Sequence, residues 1–120
     1  MSKSYLVNNI TYEQRQLQLK YPCTDVGNMM RFINQHQKVI RCYGNSREWL
    51  IWDGTRWRRT SNKDIFSLAL NSINSIAFEA KKCPSVEGTQ ALRKWLLTSQ
   101  SEAKINAMIN MASKHPNISV

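Results

Sequence analysis

Tryptophan and arginine are concentrated in residues 47–59, where three of the four tryptophans of the chain lie beside four arginines. This segment reads Arg-Glu-Trp-Leu-Ile-Trp-Asp-Gly-Thr-Arg-Trp-Arg-Arg. Guanidinium groups neutralise phosphates and indole rings stack on bases, so the composition suits contact with nucleic acid. It is also typical of arginines whose aliphatic stems cover the edge of a core. Both interpretations stay open on residue types alone.

The centre of this segment, Asp53-Gly54, is a strong β-hairpin signal. A two-residue loop there predicts that Trp52 lies opposite Thr55 and that Leu50 lies opposite Trp57. Because side chains alternate along a strand, the hairpin has two distinct faces. The first face is apolar enough to lie on a core and carries Leu50, Trp52, Thr55 and Trp57. The second face mixes aromatic and basic side chains and carries Trp49, Ile51, Arg56 and Arg58.

Packing in the core or sheet is the favoured interpretation for the four tryptophans, including Trp95, because tryptophan is usually mostly buried. Trp49 is the tryptophan best placed for base stacking, since Arg56 and Arg58 share its face of the hairpin. The methionines at helical spacing are interpreted as core residues.

The length and charge of the chain limit the classes of protein to which it can belong. Its 120 residues form one domain, and 17 Lys+Arg against 8 Asp+Glu give a net charge of +9. This excess favours a polyanionic partner such as nucleic acid or an anionic membrane. The sequence contains no apolar run of the roughly 20 residues that span a bilayer, and no signal peptide. Three widely spaced cysteines fit reduced thiols, so the chain is predicted to be soluble and intracellular.

The sequence lacks the patterns that carry catalysis or bind cofactors. Its four glycines are scattered singly, which excludes a phosphate-binding loop. His36 and His115 have no Cys or Asp neighbours at the spacing of metal ligands. The acids show no paired spacing, and no nucleophile has a nearby base. We therefore expect a chain that is not an enzyme and that holds no metal or cofactor.

The pattern of apolar residues predicts the order of helices and strands. Residues 1–23 form a polar lead-in, with a short helix allowed over residues 12–19. A helix capped by Thr24 or Asp25 follows and ends near His36, with Val26, Met29, Met30 and Ile33 on its inward face. Residues 39–43 and the two arms of the hairpin predict three short antiparallel strands over residues 39–59.

Three further helices are predicted after the hairpin. The first is capped by Ser61 or Asn62 and ends before Cys83-Pro84. The second spans residues 87–97, with Trp95 inward, and a capping box over residues 99–102 opens the last. Residues 118–120 are predicted to be extended. Residues 24–120 therefore form a single α+β domain of three or four helices, packed on one face of a small three-stranded antiparallel sheet with a Trp-rich hairpin.

Three segments in order resemble the domain that precedes superfamily-three helicase motors in phage, plasmid and poxvirus primase-helicases. The first is residues 24–28 with Arg31-Phe32, and the second is the tryptophan hairpin over residues 49–57. The third comprises Trp95, Ser99, Ser101, Ile105, Met108, Ala112 and residues 116–120. In primase-helicases a primase domain usually lies upstream, whereas about 23 residues precede the first segment here. Either the parent protein begins with this domain, or the chain is a free-standing relative.

The resemblance implies a role in DNA replication, as a non-catalytic helicase-associated module that engages single-stranded or duplex DNA in the bacterial cytoplasm. The mechanism would be phosphate neutralisation with counterion release and limited stacking, giving little base specificity. The first group of candidate contact residues is Arg41, Arg47, Trp49, Arg56, Arg58 and Arg59. The second group is Lys81, Lys82, Arg93 and Lys94, which also fit a solvated helix surface.

An alternative function is a protein-interaction module that docks a primase, a polymerase or a helicase subunit. In that case Trp49 and Ile51 would form an apolar anchor with arginines around it, a composition typical of interface hot spots. A membrane-surface protein is not expected, because no helix combines a strongly basic face with an aromatic face.

Overall fold

The computed structural model describes residues 17–43 and 48–120. The described part is an α+β domain, which confirms the predicted fold class. Its elements in chain order are α1 (Asp25–His36), β1 (Ile40–Tyr43), β2 (Glu48–Trp52), β3 (Trp57–Thr60), α2 (Asn62–Asn74), α3 (Ile76–Lys82), α4 (Val86–Ser99) and α5 (Glu102–Ser113). Most of the short helix allowed over residues 12–19 lies outside the described residues, as do residues 44–47.

The helix predicted up to Cys83 is interrupted at Ser75, so it forms two helices, α2 and α3. The Ser75 hydroxyl donates to the carbonyl oxygen of Ser72 at 2.6 Å, and the Ser75 amide donates to Asn71. A serine hydroxyl that bonds back to the preceding turn commonly bends a helix. This hydrogen bond explains the division into α2 and α3.

Side-chain caps begin four of the helices. The hydroxyl of Thr24 accepts the Gly27 amide at 3.0 Å, and Ser61, Ser85 and Ser101 cap α2, α4 and α5 in the same way. Each of these bonds satisfies an amide that the first turn of a helix leaves without a partner. The capping box predicted to begin at Ser99 is wrong: Ser99 is buried at the end of α4, and Ser101 is the cap.

The sheet has the order β1-β2-β3, with both pairs antiparallel. Cys42 in β1 also forms a parallel backbone bridge with Ser119, so the predicted extended segment at residues 118–120 is present only as this single bridge. One side of the sheet faces the core, which α1, α2 and α5 complete. The buried apolar residues from the helices include Phe32, Ile33, Ile65, Ala69, Ile73, Ile105, Met108 and Ala112.

The buried face of α1 is only partly the predicted one: Ile33 is buried and Met29 packs against the core, as expected. Val26 and Met30 are exposed, while Asn28, Arg31 and Phe32 are buried. The sequence pattern predicted that the apolar residues face inward, but buried polar side chains orient this helix instead.

Residues 17–23, which the sequence assigned to the lead-in, contact the helices closely. Leu19 and Tyr21 are buried, and the hydroxyl of Ser85 donates to the carbonyl of Leu17 at 2.7 Å. Gly27 faces Pro22 so closely that a Cβ atom at residue 27 would lie 2.0 Å from the Pro22 carbonyl oxygen. The absence of a side chain at Gly27 therefore permits this packing.

Gly27→Ala is expected to lower the free energy of unfolding by about 1–3 kcal/mol, because the clash is with backbone and no rotamer relieves it. The better helix propensity of alanine offsets only part of this loss. Urea denaturation measures the change. The control is Val26→Ala, one position earlier and exposed, which is expected to change stability by less than about 0.5 kcal/mol. Equal stability of the Gly27→Ala variant and the natural protein would contradict this packing.

Candidate nucleic-acid interface

The hairpin loop is longer than predicted. Trp52 pairs with Trp57, so four residues, 53–56, connect the strands instead of two. The Asp53 carboxylate organises this loop: its Oδ1 accepts the amides of Thr55 and Arg56 at 2.9 and 3.0 Å. Gly54 has φ +104°, a conformation that favours glycine. The Asp-Gly pair therefore makes a turn in which the aspartate side chain bonds to the backbone.

The hairpin faces the core with the side opposite to the predicted one. The longer loop shifts the pairing of the two strands by two positions. Because side chains alternate along a strand, this shift leaves the residues of each face unchanged, and Trp49 and Ile51 lie together on one face. The neighbouring strand decides which face turns inward, because Ile40 and Cys42 share that face and are fully buried. Trp49 is only 5 % exposed, so it lies on the core side and not on the open side of the sheet; its contact with DNA stays a prediction.

The opposite side of the sheet is open to solvent. We call it the aromatic–basic face; it carries Arg41, Tyr43, Glu48, Leu50, Trp52, Trp57 and Arg59. The rings of Trp52 and Trp57 are tilted against each other with centroids 5.6 Å apart, and each residue is 38 % exposed. The Arg41 guanidinium carbon lies 5.1 Å from the centroid of the Trp57 ring, within the range of a cation–π interaction. The face thus combines exposed indole surface with a guanidinium group held beside it.

The backbone holds Arg41 in this position. Its Nη1 donates to the carbonyl oxygens of Gln37 and Ile40, the second at 2.6 Å. A positive charge oriented in this way loses little side-chain freedom when it meets a phosphate, so Arg41 is preorganised for contact with an anion.

The other described arginines of the hairpin extend into solvent. Arg56 lies at the loop, and Arg58 and Arg59 follow in β3 with side chains on opposite faces of the sheet. Arg58 Nε is 3.6 Å from the Asp53 carboxylate, and Arg59 Nη1 is 3.7 Å from Glu48. Exposed ion pairs of this kind contribute little, so they do not prevent these guanidinium groups from binding a stronger anionic ligand.

The structure separates the two groups of predicted contact residues. Arg41, Arg56, Arg58 and Arg59 lie on the sheet and its loop, whereas Arg47 lies outside the described residues. Lys81, Lys82, Arg93 and Lys94 are exposed on α3 and α4, two helices that pack mainly on each other. The segment that contains the sheet, residues 38–60, has six basic and two acidic side chains.

The pKa of the Asp53 carboxyl is lowered, first by the backbone amides of Thr55 and Arg56 and then by the Thr55 hydroxyl and the Arg58 charge. The carboxylate therefore stabilises the turn above the ordinary aspartate pKa of about 3.9, and this contribution is lost as the pH falls through the lowered value. An NMR pH titration is expected to show the Thr55 and Arg56 amide shifts inflecting below pH ~3.9. Asp53→Asn keeps an acceptor oxygen and is expected to remove the inflection. An inflection at or above the ordinary value would contradict this account of the turn.

A buried polar network, which the sequence did not predict, connects three helices. Arg31 is fully buried; its Nε and Nη2 donate to the two carboxylate oxygens of Glu79 at 2.6 and 2.9 Å. Asn28 Oδ1 accepts both Arg31 Nη1 at 2.8 Å and Trp95 Nε1 at 2.9 Å, while Asn28 Nδ2 donates to Ser99 at 3.1 Å. Four of these five residues lie in segments that carry the family resemblance. Their role in this buried network therefore explains why these four residues belong to the segments of the resemblance.

Within residues 17–43 and 48–120, no cluster of three His, Cys, Asp or Glu side chains could hold a metal ion. The same residues include no helix that is long and apolar enough to cross a membrane.

The fold and the open face of its sheet define a small α+β domain that presents aromatic and basic side chains. Residues 28–120 match the family described as D5 N terminal like, and the chain belongs to this family. The family is the domain that precedes superfamily-three helicase and primase-helicase modules in phage and viral proteins. The predicted resemblance is therefore confirmed. No curated protein and no solved structure matches the chain.

Proposed function

We propose that this chain is a non-catalytic module that engages DNA for a replication helicase or primase-helicase of a mobile element, in the cytoplasm of a bacterial host. The observation that carries the proposal is the aromatic–basic face, where Trp52 and Trp57 are exposed beside the oriented guanidinium of Arg41. Contiguous exposed apolar surface commonly marks a binding site, and these two tryptophan rings are in contact with each other.

The path of the bound strand follows β3. This strand lies at the edge of the sheet, and its residues 57–59 are all exposed. Arg58 and Arg59 point to opposite faces, so phosphates running along the edge can meet both guanidinium groups. Bases then reach Trp57 and Trp52 on the aromatic–basic face. Aromatic stacking and phosphate neutralisation of this type give affinity for single strands with little sequence preference.

Tryptophan fluorescence tests this arrangement. Titration with a single-stranded oligonucleotide is expected to quench the emission, because bases stack on Trp52 and Trp57. The double variant Trp52→Thr/Trp57→Thr keeps residues that favour β-strands and is expected to bind about tenfold or more weakly. Its melting temperature, measured in parallel, verifies that it is folded. Unchanged affinity in the folded double variant would contradict the assignment of this face.

A second candidate function is docking of a primase, a polymerase or a helicase motor domain. Three exposed apolar side chains on α3 and α4 favour it: Phe78, Val86 and Leu97 are 65 %, 69 % and 72 % exposed. These helices also carry the second group of basic residues. Tight binding to a purified replication subunit, together with negligible DNA affinity, would favour docking over DNA engagement.

A further inference from the structure

The residues of the aromatic–basic face lie in rows that cross the sheet. The strand register places Arg41, Leu50 and Arg59 side by side, so the middle row has an arginine on each side of a leucine. Two positions along the strands, Trp52 and Trp57 form an aromatic row. A DNA strand whose phosphates contact the arginines can therefore stack a base on the indole rings, as the proposed function requires.

A third row lies on the other side of the arginines and consists of Tyr43 and its cross-strand partner Glu48. Tyr43 is exposed and the side chain of Glu48 is partly exposed, so both are open to solvent. Directly opposite residues have Cβ atoms about 5 Å apart, so a base that stacks on the Tyr43 ring lies beside the Glu48 carboxylate. Glu48 is four positions from Trp52 along β2, about 13 Å, and this base is therefore a different one from the base at the indole rings.

Glu48 carries the only carboxylate of the aromatic–basic face among the described residues. The guanidinium and indole N–H groups of this face donate hydrogen bonds, whereas a carboxylate offers two acceptor oxygens and no donor. The other acid of the hairpin, Asp53, already accepts the amides of the loop. Glu48 is 3.7 Å from Arg59, but an exposed ion pair contributes little, so both groups can exchange partners at low cost.

We propose that Glu48 recognises a guanine base of single-stranded DNA. The inference rests on the proposed DNA-binding function. The Watson–Crick edge of guanine carries two neighbouring N–H donors, at N1 and at the N2 amino group, and the two oxygens of one carboxylate can accept both. On the same edge of adenine, cytosine and thymine, each donor group has an acceptor beside it. That acceptor would face the second carboxylate oxygen and be repelled, so the carboxylate selects guanine.

The charges around Glu48 orient the strand in the same way. A phosphate is attracted by Arg41 and Arg59 and repelled by Glu48, so the base of the nucleotide, and not its backbone, faces the carboxylate. When Arg59 binds a phosphate, its ion pair with Glu48 is broken, and the carboxylate then needs a new donor. A guanine in the same strand supplies two.

Fluorescence anisotropy with single strands of about ten nucleotides tests the proposal. Each strand consists of thymidines with one central base, which is guanine, hypoxanthine, adenine, cytosine or thymine. The full chain is expected to bind the guanine strand about fivefold or more tightly than the thymine strand. Hypoxanthine lacks the N2 amino group, and adenine is a purine of similar stacking surface. Both of these strands are expected to bind more weakly than the guanine strand.

Glu48→Gln keeps the length of the side chain but replaces one acceptor with a donor, and it is expected to remove the preference for guanine. It should bind the thymine strand at least as tightly as the natural chain does, because a negative charge leaves the face. The control is Glu87→Gln, which removes the same charge from the exposed first turn of α4 and should keep the preference. Melting temperatures verify that both variants are folded.

The outcomes separate the two proposals. If the natural chain binds all five strands equally, DNA engagement stands and guanine recognition is wrong. An adenine strand that binds as tightly as the guanine strand shows purine stacking alone and also overturns it, as does a preference that survives in the folded Glu48→Gln variant. If no strand binds even at low salt, both proposals fail.

Discussion

Arg31→Met is expected to lower the free energy of unfolding by about 3–5 kcal/mol. Arg31 is 0 % exposed and Glu79 15 % exposed, and two hydrogen bonds join the guanidinium to the carboxylate. Methionine fills much of the arginine volume but leaves the Glu79 carboxylate largely buried without a positive partner. It also removes one of the two donors to Asn28 Oδ1, leaving only Trp95 Nε1, so the contact between α1, α3 and α4 weakens. Chemical denaturation of the purified variant measures the loss.

Two controls distinguish charge burial from lost packing. In Arg31→Met/Glu79→Leu neither charge remains, and much of the lost stability is expected to return. Arg59→Met breaks an ion pair between side chains 80 % and 43 % exposed and is expected to cost less than about 1 kcal/mol. If Arg31→Met costs no more than Arg59→Met, the network does not hold the three helices together.

Arg56→Glu with Arg58→Glu is expected to reduce DNA affinity about 100-fold or more. The slope of log affinity against log salt is expected to become shallower, by the equivalent of about two phosphate contacts. Both arginines are exposed on the hairpin, so the change reverses two charges there without removing core packing. The melting temperature should change little. Fluorescence anisotropy with a labelled single strand, repeated at several salt concentrations, provides both the affinity and the slope.

The matched control is Lys81→Glu with Lys82→Glu, which reverses the same amount of charge at the exposed end of α3. Its effect is expected to be much smaller, because those lysines lie away from the sheet and act only through the net charge. If the α3 variant loses more affinity than the hairpin variant, the interface lies on α3 and α4, and Arg56 and Arg58 have been assigned wrongly.

Local signals predicted most of the helices and strands of this domain. Serine or threonine caps and inward residues such as Ile65, Ile73 and Met108 follow from spacing along the chain, so helix positions were largely predictable. The break at Ser75 was not, because serine is common inside helices and only its hydrogen bond to Ser72 identifies the bend.

Features that depend on residues distant in the chain could not be predicted from the sequence. Both faces of the hairpin carry aromatic and aliphatic side chains, so its own pattern could not fix which tryptophan is buried. The orientation came from Ile40 and Cys42 in the neighbouring strand. Burial of Arg31 depends on Glu79, which lies 48 positions away. The predicted arginines Arg41, Arg56, Arg58 and Arg59 lie in one region, but their contact with DNA stays a prediction.

The most direct test of DNA engagement is the anisotropy of labelled single-stranded and duplex DNA with the natural chain, measured over a range of salt concentrations. The account predicts micromolar or tighter binding at low salt. It also predicts a logarithm of affinity that falls linearly with the logarithm of salt, by about 0.7 per phosphate contact on a single strand. Negligible binding of both DNA forms at low salt would contradict it and would make the basic surface a site for docking another protein.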